Sequence, residues 1–132
     1  MKFLFDNDLP HPIASALRIL QQPAQHVRDV PDLGAGASDD LNLSYAGRRG
    51  FFLVTRDKAI KRTPQYRSII AAEKVGVFFV AAGKARQLSG WELAKLTIKA
   101  WDDMQAFGVR NKPPFAALVR KNGRVVRFTG AH

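Results

Sequence analysis

The chain alternates short apolar runs with longer amphipathic stretches, and this pattern restricts its fold more than any other feature. Three short, mostly apolar runs have the length of strands, at residues 2–5, 51–55 and 75–80, and the segment at 25–29 can form another strand. The stretches between these runs have the length of helices. Strands that alternate with helices indicate βαβ units, so we expect an α/β fold with a mostly parallel central sheet and helices on both faces.

Capping residues mark where the first helices should begin and end. Asp8 stands just before a Pro-initiated amphipathic stretch, and Ser38 stands before a second one. Both residue types are good N-caps, and Gly50 is suited to end the second helix in a left-handed conformation. We therefore expect one helix after Asp8 and another from Ser38 to Gly50.

The clearest helix signal begins at Ser89. Ser89 and Glu92 have the spacing of a capping box, in which each side chain binds the backbone N–H of the other. Apolar residues then recur at the helical period on one face of this helix. We expect Trp91 and Trp101, which belong to that face, to be buried.

A hairpin should close the chain. The Asn-Gly pair at 122–123 favours a tight turn between an apolar run at 115–120 and another at 124–128. We expect these two runs to form an antiparallel pair appended to the parallel sheet. The 132 residues have the length of one domain, spanning 1–132.

The charge of the chain favours a polyanionic partner. There are 21 lysines and arginines against 11 aspartates and glutamates, a formal net charge of +10. The excess is uneven, because residues 1–40 carry −3 while residues 41–86 carry +8 and residues 87–132 carry +5. A charged surface can serve solubility alone, but the concentration of carboxylates in the least basic third argues against this. RNA or DNA is the partner that such a surface fits.

Other features exclude several classes of protein. The chain has no cysteine, which excludes a disulfide framework, a thiolate zinc site and a cysteine nucleophile. Its longest apolar run, at 75–82, is far shorter than the roughly 20 residues that cross a membrane. The first residues contain Asp6 and lack the apolar core of a signal peptide. We therefore expect a cytoplasmic protein with no membrane partner.

Five aspartates are predicted to converge at one edge of the sheet. Asp6 follows the first strand directly, and Asp8 lies two residues further on. Asp57 follows the third strand, and Asp39 and Asp40 begin the second helix. The carboxyl ends of parallel strands meet at the edge where such folds place their sites. Capping, the helix dipole or a turn would explain four of the five, but a buried strand end is a poor place for the unpaired charge of Asp6.

Clustered carboxylates favour a bound cation. Two carboxylates about 4 Å apart repel by roughly 4 kcal/mol at an effective dielectric near 20. Oxygen ligands select hard divalent ions, so we expect Mg²⁺ or Mn²⁺ as the cofactor, held by Asp6 and Asp57 with Asp39 or Asp40. We prefer Asp39 as the direct ligand because it shares a helix face with Leu43 and Ala46, which should pack on the sheet. A cation held in this way activates water for phosphodiester hydrolysis.

Basic residues surround the third strand end. They are Arg56, Lys58, Lys61 and Arg62, on either side of Asp57. Lysine and arginine contact phosphates and so position a nucleic-acid backbone without reading its sequence. We predict that these four residues bind RNA, with a solvated charged face as the alternative for any one of them.

Several motifs together resemble the PIN-like domains, in particular the toxin-like branch near the VapC45-type and DUF5615-type proteins. Phe-Asp-Asn-Asp-Leu-Pro at 5–10, Ala-Ser-Asp-Asp at 37–40 and Val-Thr-Arg-Asp-Lys at 54–58 look like the acidic motifs of that branch. Further segments resemble the VapC45-type proteins more narrowly, at 61–64, 83–84, 88–93 and 113–115. The resemblance covers nearly the whole chain through the order and spacing of these motifs.

The resemblance implies a three-layer PIN-like sandwich and a metal-dependent endoribonuclease, often the toxin of a toxin–antitoxin pair. It carries over Asp6, Asp39 and Asp57 as the catalytic and metal-binding residues, with Asp8 and Asp40 as second candidates. The implied partners are an RNA substrate and a cognate antitoxin protein, with a homodimer as a possible assembly. Hydrolysis would leave a 5′-phosphate and a 3′-hydroxyl. Two departures from the pattern bear on activity, because Ala59 stands where many relatives have an acid and Asp8 stands where many have Asn.

Two alternatives remain open at this point. A receiver-like regulatory domain also places acids after its first and third strands, but it requires a Ser or Thr at the end of the fourth strand, where this chain has Val80-Ala81-Ala82. A catalytically degenerate PIN-like protein would bind RNA through the basic surface alone, without a divalent metal and without cleavage.

Overall fold

Six strands form one mixed sheet in the computed structural model, which describes residues 2–34, 36–56, 63–80 and 88–128. The strands are β1 (Phe3–Phe5), β2 (Ala24–His26), β3 (Phe52–Thr55), β4 (Gly76–Val80), β5 (Phe115–Val119) and β6 (Val125–Arg127). Their order across the sheet is β2-β1-β3-β4-β5-β6. Neighbouring strands from β2 to β5 are parallel, and β6 is antiparallel to β5. This confirms the predicted α/β sheet and its C-terminal hairpin, a fold consistent with a PIN-like sandwich.

Four helices cover the two faces of the sheet. They are α1 (His11–Ile19), α2 (Asp39–Arg49), α3 (Pro64–Glu73) and α4 (Gly90–Arg110). One apolar cluster joins α1 and α4 to one face of the sheet, and a second cluster joins α2 and α3 to the other. Alternate strand residues supply the two clusters, since Phe3 and Phe5 belong to the first and Leu4 belongs to the second. A strand buried on both faces must be apolar throughout, which explains the continuous runs in the sequence.

Several helix ends differ from the sequence prediction. Asp8 does not cap α1, whose N-cap is Pro10, because the Asp8 carboxylate accepts from the backbone N–H of Arg56, directly after β3. Ser38 is the N-cap residue of α2, but its hydroxyl donates to the carboxylate of Asp40 rather than accepting from the helix backbone. Gly50 ends α2 with φ at +70°, as expected.

The longest helix, α4, begins with the predicted capping box, in which Ser89 and Glu92 bind each other's backbone N–H groups. Trp101 is buried, but the expectation that Trp91 is buried is wrong, since its side chain is 71% exposed. Trp91 lies in the first turn of α4, beyond the edge of the apolar face. None of the helices within the described ranges is both long and apolar enough to cross a membrane.

Candidate active site

Asp6 is held at the carboxyl end of β1 by the sheet itself. β1 and β3 pair in register with Phe5 opposite Val54, and the backbone N–H of Asp6 donates to the carbonyl of Val54 at 2.9 Å. This bond extends the ladder by one residue and fixes the Cα of Asp6 beside the end of β3. The first predicted site residue therefore lies at the predicted edge of the sheet.

The carboxylate of Asp6 is buried among neutral hydrogen-bond donors. Its side chain is only 4% exposed. Oδ1 accepts from the backbone N–H of Asn7 at 2.7 Å and from Nδ2 of Asn42 at 3.1 Å, and Oδ2 accepts from the hydroxyl of Thr55 at 3.0 Å. Within the described residues, no lysine or arginine forms an ion pair with it. A buried anion that is held by dipoles alone is an unfavourable arrangement unless a cation shares the site.

The hydroxyl group of Thr55 lies between the carboxylates of Asp6 and Asp8. The Oγ1 atom of Thr55 is 3.0 Å from Oδ2 of Asp6 and 3.2 Å from Oδ2 of Asp8. One hydroxyl has one proton to donate, so it can satisfy only one of the two carboxylates at a time. Two carboxylates about 6 Å apart repel each other by about 3 kcal/mol at an effective dielectric of 20. A divalent ion between them would remove this repulsion.

The loop that carries Asp8 is tied to the end of β3. Both carboxylate oxygens of Asp8 accept from the backbone N–H of Arg56, at 3.2 and 3.1 Å. The side chain of Arg56 is half-buried, and its Nε atom is buried without a hydrogen-bond partner among the described residues. Arg56, one of the predicted RNA-binding residues, therefore has a side-chain N–H that points into the protein rather than into water.

The start of α2 completes the edge of the site. Asn42 is fully buried, and while its Nδ2 atom donates to Asp6, its Oδ1 atom has no hydrogen-bond partner within the described part of the chain. Asp39 lies one turn earlier on the same helix face, which also contains the buried Leu43 and Ala46. The structure thus confirms that this face packs inward. Asp39 is on the side of α2 that reaches Asp6.

Asp40 has a different environment from that of Asp39. The hydroxyl of Ser38 donates to its Oδ1 atom, and this hydrogen bond lowers the pKa of Asp40 below its ordinary value. The carboxylate is therefore ionised, but it is turned back toward the residue that precedes the helix. A residue held in this way is better placed outside a metal site than within it.

An open cleft of about 540 Å³ lies beside Asp8 and Arg56, which both line it. The loop after β1 lines it on one side and the start of α4 lines it on the other, and its polar lining comes from Asn7, Asp8, His11, His26, Arg28 and Arg56. The cleft is wide enough to admit a nucleotide, whose phosphate would lie within reach of Asp8 and Arg56. The edge of the sheet is therefore accessible even though Asp6 is buried.

His26 supports the loop from behind. Its Nε2 atom donates to the carbonyl of Leu9 at 2.9 Å, and its Nδ1 atom accepts from the backbone N–H of Arg28 at 3.1 Å. These two bonds require the neutral ring with its proton on Nε2. Burial lowers the pKa of His26, which favours the same neutral form. The histidine thus fixes the backbone of the loop that carries Asp8.

Some predicted site residues lie outside the described part of the chain. They are Asp57, Lys58, Lys61 and Arg62. Within the described ranges, no group of three or more acidic or histidine side chains is arranged to hold a metal ion. The structure does bring Asp6 and Asp8 together and places Asp39 on the adjoining helix face. The third carboxylate that the sequence predicts, Asp57, belongs to the part not described.

Sequence reasoning missed two residues of the site. Thr55 lies between the two carboxylates, and Asn42 links α2 to Asp6. Asn42 could have been found as a polar residue on the face that also carries Leu43 and Ala46, because a polar side chain on a buried face needs a partner there. The signal for Thr55 was weaker. Threonine is common in strands, and only its position just before Arg56 and Asp57 pointed to the site.

The chain matches the model of a known family. A family model described as a PIN-like domain matches residues 1–82, more than half of the 132-residue chain. No curated protein and no solved structure gives a significant match. The matched range contains all five of the aspartates singled out in the sequence, together with Asn42 and Thr55.

Proposed function

The chain belongs to the PIN-like domain family, and from this premise we propose that it is a metal-dependent endoribonuclease. PIN-like domains are generally nucleases. The observation that carries the proposal for this chain is the buried carboxylate of Asp6, which lies beside Asp8 at the open edge of the sheet without an ion-pair partner among the described residues.

The residues present fit a hard divalent cation. The described donor set consists of carboxylate oxygens and one amide oxygen, Oδ1 of Asn42, which is buried without a hydrogen-bond partner in the described ranges. Mg²⁺ and Mn²⁺ prefer such oxygen ligands. We assign Asp6, Asp39 and Asp57 to the cation, with Asp8 and Asp40 as second candidates. When bound, the cation supplies an activated water and offsets charge on the phosphate.

The remaining residues hold the substrate and the carboxylates in place. Arg56 lines the cleft, and with Lys58, Lys61 and Arg62 it would contact the RNA backbone on either side of the cleaved phosphate. Thr55 and Asn42 donate to the carboxylate of Asp6 and so fix its orientation beside Asp8. The chain thereby orients the acidic groups before substrate enters, and little reorganisation is needed when it does.

We further assign the chain to the toxin-like branch of the family, with a cognate antitoxin as its protein partner and action in the cytoplasm. The support is the order of the acidic motifs at 5–10, 37–40 and 54–58 together with the net charge of +10. Family membership argues against the receiver-like alternative. The non-catalytic alternative keeps one specific observation in its favour, the alanine at position 59.

Cleavage of RNA with and without metal tests the proposed activity. Wild-type protein should cleave single-stranded RNA in Mn²⁺, and EDTA should stop the reaction. Asp6→Asn should lower the rate by about 100-fold or more, because it removes the charge of a ligand while keeping its size. Asp32→Asn, at an exposed position beside Arg49 at the C-terminal end of α2, removes the same charge at the opposite end of that helix from Asp39 and should leave the rate unchanged.

The sequence-based assignment of Asp57 is tested in the same assay, where Asp57→Asn should also abolish cleavage. Cleavage that persists in EDTA, or that is equally fast in Asp6→Asn, would contradict the proposed mechanism. Binding of RNA without cleavage by the wild-type protein would support the degenerate alternative instead.

Expression in a bacterial host tests the assignment to the toxin branch. Induced wild-type protein should arrest growth, and Asp6→Asn should not, because growth arrest by a toxin requires RNA cleavage. Asp32→Asn should arrest growth as the wild type does. Normal growth with a variant that cleaves RNA in vitro would place the protein outside the toxin branch while leaving its activity intact.

A further inference from the structure

A second cavity, of about 430 Å³, lies on the other side of the start of α4. Its walls come from α4, from Leu88 just before α4 and from the turn between β5 and β6. The lining residues are Leu88, Glu92, Lys95, Leu96, Lys99 and Lys121. Two leucines form its apolar floor, and three ammonium groups stand at its rim.

The charges of this cavity suit an anion. The carboxylate of Glu92 accepts from the backbone N–H of Ser89 in the capping box at 3.0 Å, so it is held at the helix start. Within the described residues, no carboxylate forms a salt bridge with Lys95, Lys99 or Lys121. The three ammonium groups around the cavity repel one another. An anion in the cavity would be attracted to all three and so offset this repulsion.

One of the three lysines is placed by the hairpin turn. Gly123 has φ at +86°, and a Cβ atom built on it would lie 2.9 Å from Cγ of Lys99. The stem of Lys99 therefore passes directly over the backbone of the turn that carries Lys121. This contact brings lysines from α4 and from the hairpin to the same rim.

An exposed aromatic ring continues the line of cations. Trp91 is 71% exposed, and Nζ of Lys95 lies 5.8 Å from the centroid of its ring. Trp91, Lys95 and Lys99 are spaced four residues apart, so they form one stripe of about 12 Å along α4. Lysines beside an exposed indole are the combination that binds single-stranded nucleic acid, with phosphates on the cations and a base stacked on the ring.

The stripe leads toward the candidate active site. Leu88 lines both the second cavity and the cleft over Asp8 and Arg56. The first turn of α4 is therefore the common wall of the two openings. A strand that leaves the cleft past Leu88 arrives at Trp91 and then at Lys95 and Lys99.

We propose that the groove formed by Trp91, Lys95, Lys99 and Lys121 binds the single-stranded RNA substrate at a distance from the cleaved phosphate. This inference rests on the proposed function in naming RNA as the ligand. It assigns substrate binding to the C-terminal third of the chain, in addition to the basic residues around Asp57. The groove extends the bound length of RNA along α4 and makes affinity depend on substrate length.

A charge-matched pair of variants tests the groove. In an Asp6→Asn background, which prevents cleavage, the first variant carries Lys95→Gln, Lys99→Gln and Lys121→Gln. The control carries Lys2→Gln, Lys74→Gln and Lys112→Gln, which precede β1, β4 and β5 and so lie at the opposite edge of the sheet. Both variants lose three positive charges. Affinity for a labelled single-stranded RNA of about 12 nucleotides is measured by fluorescence anisotropy as a function of salt.

The groove variant should bind this RNA about tenfold or more weakly than the control. Its slope of log affinity against log salt should flatten by about 2, because each lost contact with a single-strand phosphate removes about 0.7. For a dinucleotide, which is too short to reach from the cleft into the groove, the two variants should bind equally. Equal losses in both variants on the longer RNA would overturn the proposal, since bulk charge would then explain them.

Trp91 provides a second, independent readout. Bound RNA should quench the fluorescence of the exposed Trp91, while the buried Trp101 should contribute little to the change. Trp91→Phe should therefore abolish most of the quenching while retaining affinity, and Trp91→Ala should weaken binding on the order of tenfold. Quenching that persists in Trp91→Phe would remove this residue from the groove.

The outcomes separate the groove from the proposed activity. If wild-type protein does not cleave RNA in Mn²⁺ but the groove variant loses binding selectively, the activity is wrong and the groove stands. If cleavage requires Asp6 but the groove variant matches its control, the groove is wrong and the activity stands. If no single-stranded RNA binds to any variant, the proposal that the groove binds RNA is overturned as well. A docked protein segment would then be the best candidate for what occupies the groove.

Discussion

Asn42 donates from Nδ2 to Oδ1 of Asp6 over 3.1 Å and thereby joins two segments that are 36 residues apart in the chain. The bond connects the first turn of α2 to the end of β1. Because Asn42 is an amide, it supports the negative charge of Asp6 without neutralising it. The site therefore keeps its charge for a ligand while its geometry is fixed by the fold.

Asn42→Ala should destabilise the protein in the absence of metal. The substitution leaves Oδ1 of Asp6 with one fewer donor in a buried position, which costs about 1–3 kcal/mol in the free energy of unfolding. Denaturant titration in EDTA measures the change. Asn7→Ala, at an exposed position, keeps the backbone N–H that bonds Asp6 and should have little effect. Equal stability of Asn42→Ala and wild type would mean that water replaces the amide.

Mn²⁺ should stabilise the folded protein. An ion that binds only the folded state adds about 2.7 kcal/mol at 100 times its dissociation constant, which raises the melting temperature by several degrees. Asp6→Asn should lose this increase, and Asp32→Asn should keep it. Differential scanning fluorimetry over a Mn²⁺ series measures both. An increase of the same size in Asp6→Asn would place the ion elsewhere.

Asp39 and Asp40 should contribute unequally to cleavage. Asp39 lies on the face of α2 that packs inward, whereas Asp40 accepts from Ser38 at the helix start. At saturating Mn²⁺, Asp39→Asn should therefore lower the rate more than Asp40→Asn. Initial rates on one RNA substrate measure the order. The reverse order would assign the metal to Asp40.

Stability should fall below neutral pH through His26. Burial lowers its pKa from the ordinary 6.5, so the unfolded chain binds a proton more readily than the folded one. The contribution is fully present above about pH 6.5 and is lost as the pH falls from there through the lower folded pKa. His26→Gln should flatten the dependence of unfolding free energy on pH between about 7.5 and 5. An unchanged pH dependence in His26→Gln would mean that another group is responsible for it.

Gly47→Ala should separate α2 from α3. A Cβ atom at this position would lie 2.5 Å from Cβ of Glu73 and 2.6 Å from its backbone oxygen, which cannot move aside. We expect the loss from overpacking, about 1–3 kcal/mol, to exceed the roughly 1 kcal/mol gained in helix propensity. Gly36→Ala, which would meet no atom within 4 Å, should be neutral. Thermal unfolding compares the two, and a neutral Gly47→Ala would show that the helices can shift.

The sequence predicted the sheet well because each strand is marked by a local run of apolar residues. Runs such as 51–54 and 77–80 are apolar at every position, as expected of strands buried on both faces. The position of Asp6 followed directly from the end of the first run. These features need no knowledge of which segments meet in space.

The side-chain contacts of the site could not be predicted in this way. Thr55 meets Asp6 across 49 residues of sequence, and Asp8 bonds Arg56 across 48. Asp8 was expected to cap a helix because local chemistry favours it, but the N–H of Arg56 takes its carboxylate. Trp91 was expected in the core because it lies near the apolar face of α4, and the first turn carries it past the edge.

The range matched by the family model ends at residue 82, before any residue of the groove along α4. The aspartates singled out in the sequence all precede this point, and every lysine of the groove follows it. The segment that shows the family and the groove proposed to bind RNA therefore belong to separate parts of the chain, so substitutions in one can be made without touching the other. Exchanging the segment from residue 88 onward between relatives would then transfer substrate preference without transferring the chemistry.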